Sequence, residues 1–161
     1  MTDSFLGLFV VQVNFADLYI PKNFDYPQPH DIGSLVGQGI SSGPIVVVDA
    51  QTILVSDFTY DGQAPDLRFW VGKGNPGPQG SAVSDETGRD VPVQKTDKKT
   101  MVLNLPGDLT IFDIDYFSVY SQAYNADYGH VRVPKNLNVP PSLRMLGIAP
   151  QVRTNNLYVY I

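Results

Sequence analysis

Residues 58–72 read FTYDGQAPDLRFWVG, and this stretch decides the fold class of the chain. Two strand-like runs rich in aromatic and branched side chains, residues 58–60 and 67–71, lie on either side of two turn signals. Asp61-Gly62 supplies a positive φ at little steric cost, and Pro65-Asp66 pre-sets a second bend. The stretch therefore predicts a compact β-corner that joins two strands of a sheet.

The composition of the whole chain agrees with an all-β domain. Its 161 residues are 43% hydrophobic and 17% charged, which excludes a disordered or coiled-coil chain and suits one domain with its own core. Gly and Pro number 14 and 13, and aromatic residues make up 11%, a mixture typical of short strands joined by many turns. We expect an antiparallel β-sandwich or barrel with little or no helix.

Hydrophobic periodicity places the strands. Residues 45–48 are apolar throughout and β-branched, which predicts a strand buried on both faces. Further extended segments are expected at residues 52–60, 67–72, 82–83, 91–93, 101–105, 109–114, 116–124 and 128–133. The Gly/Pro-rich residues 73–80 are expected to form a flexible connection, and residues 142–148 to form at most one turn.

Charge and cysteine content exclude several function classes. The net charge of −5 and a pI near 4.7 argue against nucleic acid, whose phosphates require clustered Lys and Arg. Residues 95–99 are locally basic but are interrupted by Thr96 and Asp97, as in a solvated loop. The chain has no cysteine, which removes disulfides, thiol nucleophiles and thiolate metal sites.

The sequence shows no membrane span and no convincing signal peptide. No stretch reaches the roughly 18 apolar residues that a spanning helix needs. Residues 5–11 read FLGLFVV, but Asp3 precedes them and no Lys or Arg does, whereas a signal peptide begins with a positive region.

A partial repeat suggests how the chain is organised. Residues 12–27 and 125–140 share a Pro-Lys-Asn sequence after a short alternating strand that ends at the proline. We expect a non-repeat segment over residues 1–11, the terminal strand of a truncated first copy with a linker over 12–32, one complete copy over 33–140 and a tail over 141–161. The chain would then be a fragment or short isoform of a tandem array.

The predicted strand at residues 116–124 contains the best candidate binding surface. Alternation divides it into two faces, one with Tyr116, Ser118, Tyr120, Gln122 and Tyr124, and the other with Phe117, Val119, Ser121 and Ala123. The second face is expected to be the core. On the first, Tyr116, Tyr120 and Tyr124 could stack on sugar rings or a partner protein, joined by Trp70 if the corner turns it outward. The alternative is that these tyrosines are ordinary cross-strand pairs.

Other candidate residues indicate no catalytic or metal site. His30 and His130 are expected at the surface. Asp57, Asp61 and Asp66 cluster around the corner, but their spacing matches no calcium-binding loop, and Asp61 and Asp66 are expected to serve as turn residues. No nucleophile-elbow pattern is present. We therefore expect no catalytic residue, no metal and no cofactor.

Several segments in order resemble the DM13 domain family over residues 33–134. They include YDGQAPD and RFWVGKG, then SDETGRDVPV, LPGDLT and FDIDYFSVYSQAYNADYGHVRVP. The signature positions of the corner are Tyr60, Asp61, Gly62, Pro65, Asp66, Phe69, Trp70 and Gly72. The segments PKNFDYPQPHDIG, SSGPIVVVDAQT and NVPPSLRMLG resemble more narrowly the second DM13 domain of Knickkopf-like insect cuticle proteins, and Skeletor-type proteins are also similar.

The resemblance implies an extracellular all-β domain, secreted or at the cell surface. Skeletor-type members imply electron transfer through a single family cysteine, but that position is Ser121 here, and a hydroxyl is neither a thiolate nor a soft ligand. The Knickkopf-like resemblance instead implies a non-catalytic module that organises or protects cuticle chitin, with chitin or a cuticle matrix protein as partner. A redox module is the disfavoured alternative.

Overall fold

The computed structural model describes residues 23–85, 87–147, 151–154 and 157–160. These ranges contain ten strands: β1 (His30–Gly37), β2 (Ile40–Asp49), β3 (Thr52–Tyr60), β4 (Leu67–Gly72), β5 (Ser81–Ala82), β6 (Thr96–Asn104), β7 (Tyr116–Ser121), β8 (Ala126–Arg132), β9 (Gln151–Thr154) and β10 (Leu157–Tyr160). The predicted first-copy strand at residues 12–20 lies outside the described residues.

Two four-stranded antiparallel sheets form the body of the domain. One has the order β1-β2-β3-β6 and the other β5-β4-β7-β8, while β9 and β10 pair in a separate hairpin. The sheets pack face to face and do not close on each other, so the predicted sandwich is confirmed and the barrel alternative is not. No α-helix occurs among the described residues.

The core lies between the inner faces of the two sheets. Phe58 of β3 meets Phe69 of β4 with ring centroids 5.2 Å apart, and Phe69 stacks on Phe117 of β7 at 5.7 Å. On β2, Ile45 and Val47 are fully buried, but their neighbours on the opposite face of the strand are only half-buried. The prediction that residues 45–48 are buried on both faces is therefore wrong, because the outer face of this antiparallel sheet is partly open to solvent.

The corner between β3 and β4 forms as its sequence predicts. Gly62 has φ 80° and Asp66 has φ 50°, which are the left-handed conformations that Gly, Asn and Asp tolerate best. The Tyr60 hydroxyl donates to the Ala64 carbonyl at 2.8 Å and accepts from the Ala64 N–H at 2.9 Å. A buried phenol from β3 thus holds the middle of the corner.

The segment before β7 differs from its prediction as an extended strand. Ile111–Asp113 form a 3₁₀ turn, and the Thr110 side chain accepts from the Phe112 N–H at 3.2 Å. The Asp113 carboxylate accepts in return from the Thr110 N–H at 2.9 Å. This reciprocal capping box ends the extended chain, and the prediction at residues 109–114 is wrong for that reason.

Strand β7 is shorter than predicted. It ends at Ser121, and residues 122–125 turn the chain back into β8, with Asn125 at φ 52°. Residues 91–93 form no regular strand, although the Val93 N–H donates to the Leu67 carbonyl at 2.7 Å. The single turn expected near the C-terminus is present, with the Leu146 N–H donating to the Ser142 carbonyl at 3.2 Å.

The two sheets are joined where β1 passes β8. The Gln38 N–H donates to the Tyr128 carbonyl at 3.0 Å. A Cβ at Gly37 would overlap that same carbonyl oxygen, so only glycine allows the two backbones to approach so closely.

The segments that lead into and out of the sandwich also meet. The Gln28 N–H donates to the Asn138 carbonyl at 3.1 Å, and the Asn138 side-chain amide donates to the Asp25 carbonyl at 2.7 Å. We call this pair of contacts the terminal clasp. Strand β1 begins at His30, slightly ahead of the boundary at residue 33, and the domain limits themselves stay a prediction.

Candidate functional site

The tyrosine face of β7 is buried rather than exposed. Alternation does place Tyr116 and Tyr120 on the face that points away from the main core, together with Trp70 of β4. However, the exposed fractions of these side chains are 0% for Tyr116, 1% for Tyr120 and 4% for Trp70. The predicted binding surface is therefore wrong for three of its four members, and only Tyr124, in the turn after β7, is exposed at 67%.

These three rings form a small second core beneath residues 73–80. Trp70 stacks on Tyr120 with centroids 5.4 Å apart and planes 15° apart, and the indole Nε1–H donates to the Gly77 carbonyl at 2.9 Å. A Cβ at Gly80 would overlap the Trp70 indole and lie 2.6 Å from the Tyr116 hydroxyl. Burial raises the pKa of both tyrosines. We call residues 73–80 the cover loop.

The cover loop is held by charged side chains. Asp115 accepts from the Gly74 N–H at 2.7 Å and pairs with the Lys135 ammonium. The Gly74 N–H, and after it Lys135, lower the pKa of that carboxyl. Arg132 donates to the Gly74 carbonyl and to the side chain of Asn75. The cover loop was predicted to be only a flexible connection, so its role in covering the aromatic rings was missed. Two features of the sequence pointed to that role: closely spaced glycines, and a tryptophan that needs a hydrogen-bond acceptor when it is buried.

Ser121 lies behind the corner with no exposed surface. Its hydroxyl donates to the Pro65 carbonyl at 2.7 Å and accepts from the Tyr124 N–H at 3.2 Å. Both the donor and an acceptor lone pair of the hydroxyl are used. The side chain therefore ties the end of β7 to the corner.

On the other side of the corner, two adjoining depressions form one open polar groove. Their volumes are about 480 Å³ and 220 Å³, and they share Gly39 and Asp61. Asp61 holds its own turn by accepting from the Gln63 N–H at 2.9 Å, while its N–H donates to the Gly39 carbonyl at 3.0 Å. The groove is lined by apolar as well as polar groups. Ile40, Tyr60 and Ala64 lie among glycines and polar side chains, and Tyr128 lies at one end: the others are Gly37, Gln38, Gly39, Ser41, Thr59, Asp61, Gln63, Lys95, Thr96 and Asp97.

The groove was not among the sites predicted from the sequence. One wall comes from the tight turn between β1 and β2, where Gly39 has φ 72°, and a second comes from the end of β3 and the corner. The sequence Gly37-Gln38-Gly39 is the feature from which that turn could have been predicted, because glycines are typical of tight hairpin turns. The third wall comes from the start of β6, which is brought to the corner by its pairing with β3.

Comparison with known proteins decides the family. The model described as "Electron transfer DM13" matches residues 36–133, which include the corner, the cover loop, the groove and Ser121. The chain belongs to the DM13 family. It is 53% identical over 150 residues to Protein Skeletor, isoforms B/C, and to Protein Skeletor, isoforms D/E, both of Drosophila melanogaster. In each case 92% of this chain is covered.

The DM13 chain corresponds to a small part of those relatives, 19% of the B/C protein and 10% of the D/E protein. No solved structure matches it. The narrower resemblance to Knickkopf-like proteins stays a prediction.

The remaining polar candidates of the DM13 domain do not converge. Asp66 pairs with Arg68 at 2.9 Å, and the exposed His130 pairs with Asp127 at 2.6 Å. Within the described ranges, no three His, Asp or Glu side chains come together as a metal site requires. A helix long and apolar enough to cross a membrane is likewise not found in that part of the chain.

Proposed function

We propose that this DM13 domain is a non-catalytic binding module of the extracellular matrix, which organises or protects cuticle chitin. The observation that carries the proposal is Ser121. At the position that resemblance assigns to the family's redox cysteine, this chain has a buried hydroxyl whose hydrogen bonds are both structural. A saturated alcohol has no thiolate form and no accessible one-electron couple, which favours a binding role over redox chemistry at this position.

The polar groove, rather than the aromatic face, is the surface that supports binding. Its side chains offer hydroxyl, carboxylate, amide and ammonium groups, which complement the hydroxyl and N-acetyl groups of chitin. Both of its depressions are open to solvent, as a site for a polymer requires. Net hydrogen bonds of about 0.5–1.5 kcal/mol each would give weak binding per module, strengthened where several modules act on one chain.

Chitin retention tests this proposal. The full chain should cosediment with colloidal chitin, and the variant Gln38→Ala/Gln63→Ala/Asp97→Ala should lose most of that retention. The matched control changes the same residue types at exposed sites outside the groove, in the variant Gln28→Ala/Gln122→Ala/Asp108→Ala. Equal retention of both variants would exclude the groove, and no retention of the folded wild type would exclude direct chitin binding, leaving a matrix protein as the partner to test.

Electron transfer is the second candidate, because the family model carries that description. The buried, stacked pair of Trp70 and Tyr120 is the feature of this chain that favours it. Reconstitution with haem should give no Soret band if Ser121 removes the metal chemistry. A Soret band, or a reversible redox wave from the purified chain, would favour the second candidate over the first.

A further inference from the structure

Two aromatic side chains are exposed in the segment that leads into the sandwich. Phe24 and Tyr26 keep 50% and 53% of their surface exposed, and their rings meet edge to face with centroids 4.6 Å apart. Neither ring packs against the core of the described domain. The backbone of the same segment is nevertheless held, because the terminal clasp binds the Asp25 carbonyl and the Gln28 N–H. The segment is therefore fixed in place while its largest apolar side chains lack a core.

The outgoing segment carries the corresponding side chains, and there they are part of the core. In the partial repeat described above, Phe24 corresponds to Leu137. Tyr26 corresponds likewise to Val139. Val139 is 8% exposed within the main core, and Leu137 packs against that core. Because the two segments repeat one sequence pattern, these alternate positions are core positions of the domain that precedes the segment. Phe24 and Tyr26 thus have the sequence context of core side chains that belong to another copy of the domain.

The clasp leaves no spacer between such a copy and this one. It joins equivalent positions of the two segments, since the Asn138 side-chain amide donates to the Asp25 carbonyl at 2.7 Å. Only Pro27 separates Tyr26 from Gln28, and a proline ring fixes its own φ. The Gln28 N–H already donates to the Asn138 carbonyl at 3.1 Å. A body that buried Tyr26 would consequently lie directly beside this sandwich.

We propose that Phe24 and Tyr26 pack into the core of a second copy of the DM13 fold placed ahead of this domain, as Leu137 and Val139 pack here. One linker, residues 23–27, would then serve both copies, with its side chains in the core of the first and its backbone in the clasp of the second. Two adjoining rings with about half of their surface exposed offer the large apolar area on which interfaces depend. The two copies would form a rigid pair rather than two bodies on a flexible tether.

A tandem chain tests where the two rings pack. Residues 1–133 followed by residues 21–161 place the linker between two copies in the register of the repeat. In that linker, Phe24→Ala/Tyr26→Ala should lower the Tm of the preceding copy by about 5 °C or more in calorimetry. The matched control is the same pair of substitutions at the first occurrence of these residues, which no copy precedes, and it should shift either Tm by no more than about 2 °C. Equally small shifts from both variants would overturn the proposal.

A second tandem chain tests the shared linker with the native core side chains, Leu137 and Val139, in place. It consists of residues 1–140 followed by residues 28–161. Its two copies should show one rotational correlation time in NMR relaxation, longer than that of the 161-residue chain, whereas Gly-Ser-Gly-Ser inserted after Pro140 should let the copies tumble separately. Independent tumbling without the insertion, or loss of folding in one copy, would refute the close pairing.

Discussion

Replacing Ser121 tests directly whether its buried hydroxyl stabilises the domain through its two hydrogen bonds. Ser121→Ala removes a donor 2.7 Å from the Pro65 carbonyl and an acceptor 3.2 Å from the Tyr124 N–H. At about 1 kcal/mol for each net hydrogen bond, the free energy of unfolding should fall by about 2 kcal/mol. For a domain of this size that corresponds to a decrease in Tm of roughly 4–8 °C. Ser121→Cys should lower the free energy of unfolding by less, about 1 kcal/mol. The thiol still fills the site, and the remaining loss arises because it is only a weak hydrogen-bond donor.

The assay uses the single tryptophan. Trp70 is buried against Tyr120, so its fluorescence reports unfolding in denaturant, and the denaturant dependence m should stay constant in both variants. The thiol introduced at position 121 should react with an aromatic disulfide reagent at least roughly 100-fold more slowly in the folded than in the unfolded chain. Ser81→Cys, at an exposed site of β5, is the labelling control. Equally fast labelling of the folded Ser121→Cys and Ser81→Cys variants would refute the conclusion that this position is closed to solvent and to redox partners.

Three further outcomes follow from the contacts described. Gly80→Ala should destabilise the domain by more than about 2 kcal/mol, because its methyl would overlap Trp70, and a red-shifted emission of the native state would reveal a displaced cover loop. Tyr60→Phe should cost about 1–2 kcal/mol in urea unfolding, since it removes both hydrogen bonds to Ala64; an unchanged midpoint would contradict the bracing of the corner. The folded-state pKa of Asp115 is lowered, so the stability that its ionised carboxylate contributes is complete above about pH 4 and is lost as pH falls through the folded value. In urea unfolding at a series of pH values, Asp115→Asn should flatten the loss of unfolding free energy below about pH 4 relative to wild type.

The local part of this fold could be predicted from the sequence. Asp61-Gly62 and Pro65-Asp66 define the corner through backbone preferences that act within a few residues, and the alternation of β7 correctly separates the two faces of its sheet. The capping box at Thr110 is also a local signal. The apolar residues around it favour an extended strand, and that pattern led to the wrong prediction at residues 109–114.

The exposure of a face could not be predicted in the same way. Whether Tyr116 and Tyr120 meet solvent depends on the cover loop, whose position is fixed by Asp115, Arg132 and Lys135 from other parts of the chain. Alternation tells which side chains share a face, but not what lies above them. The groove depends likewise on the pairing of β3 with β6, which no short window of sequence reveals.

The terminal clasp has a mechanical consequence. Because Asn138 bonds to the backbone of both Asp25 and Gln28, the segments before β1 and after β8 lie side by side. If the chain were stretched from both ends, the tension would load the clasp, and the bond from the Ala50 N–H to the Pro140 carbonyl at 3.0 Å, before it loaded the two sheets. The body of the domain would hang beside the line of force, so stretching the polypeptide need not unfold its core.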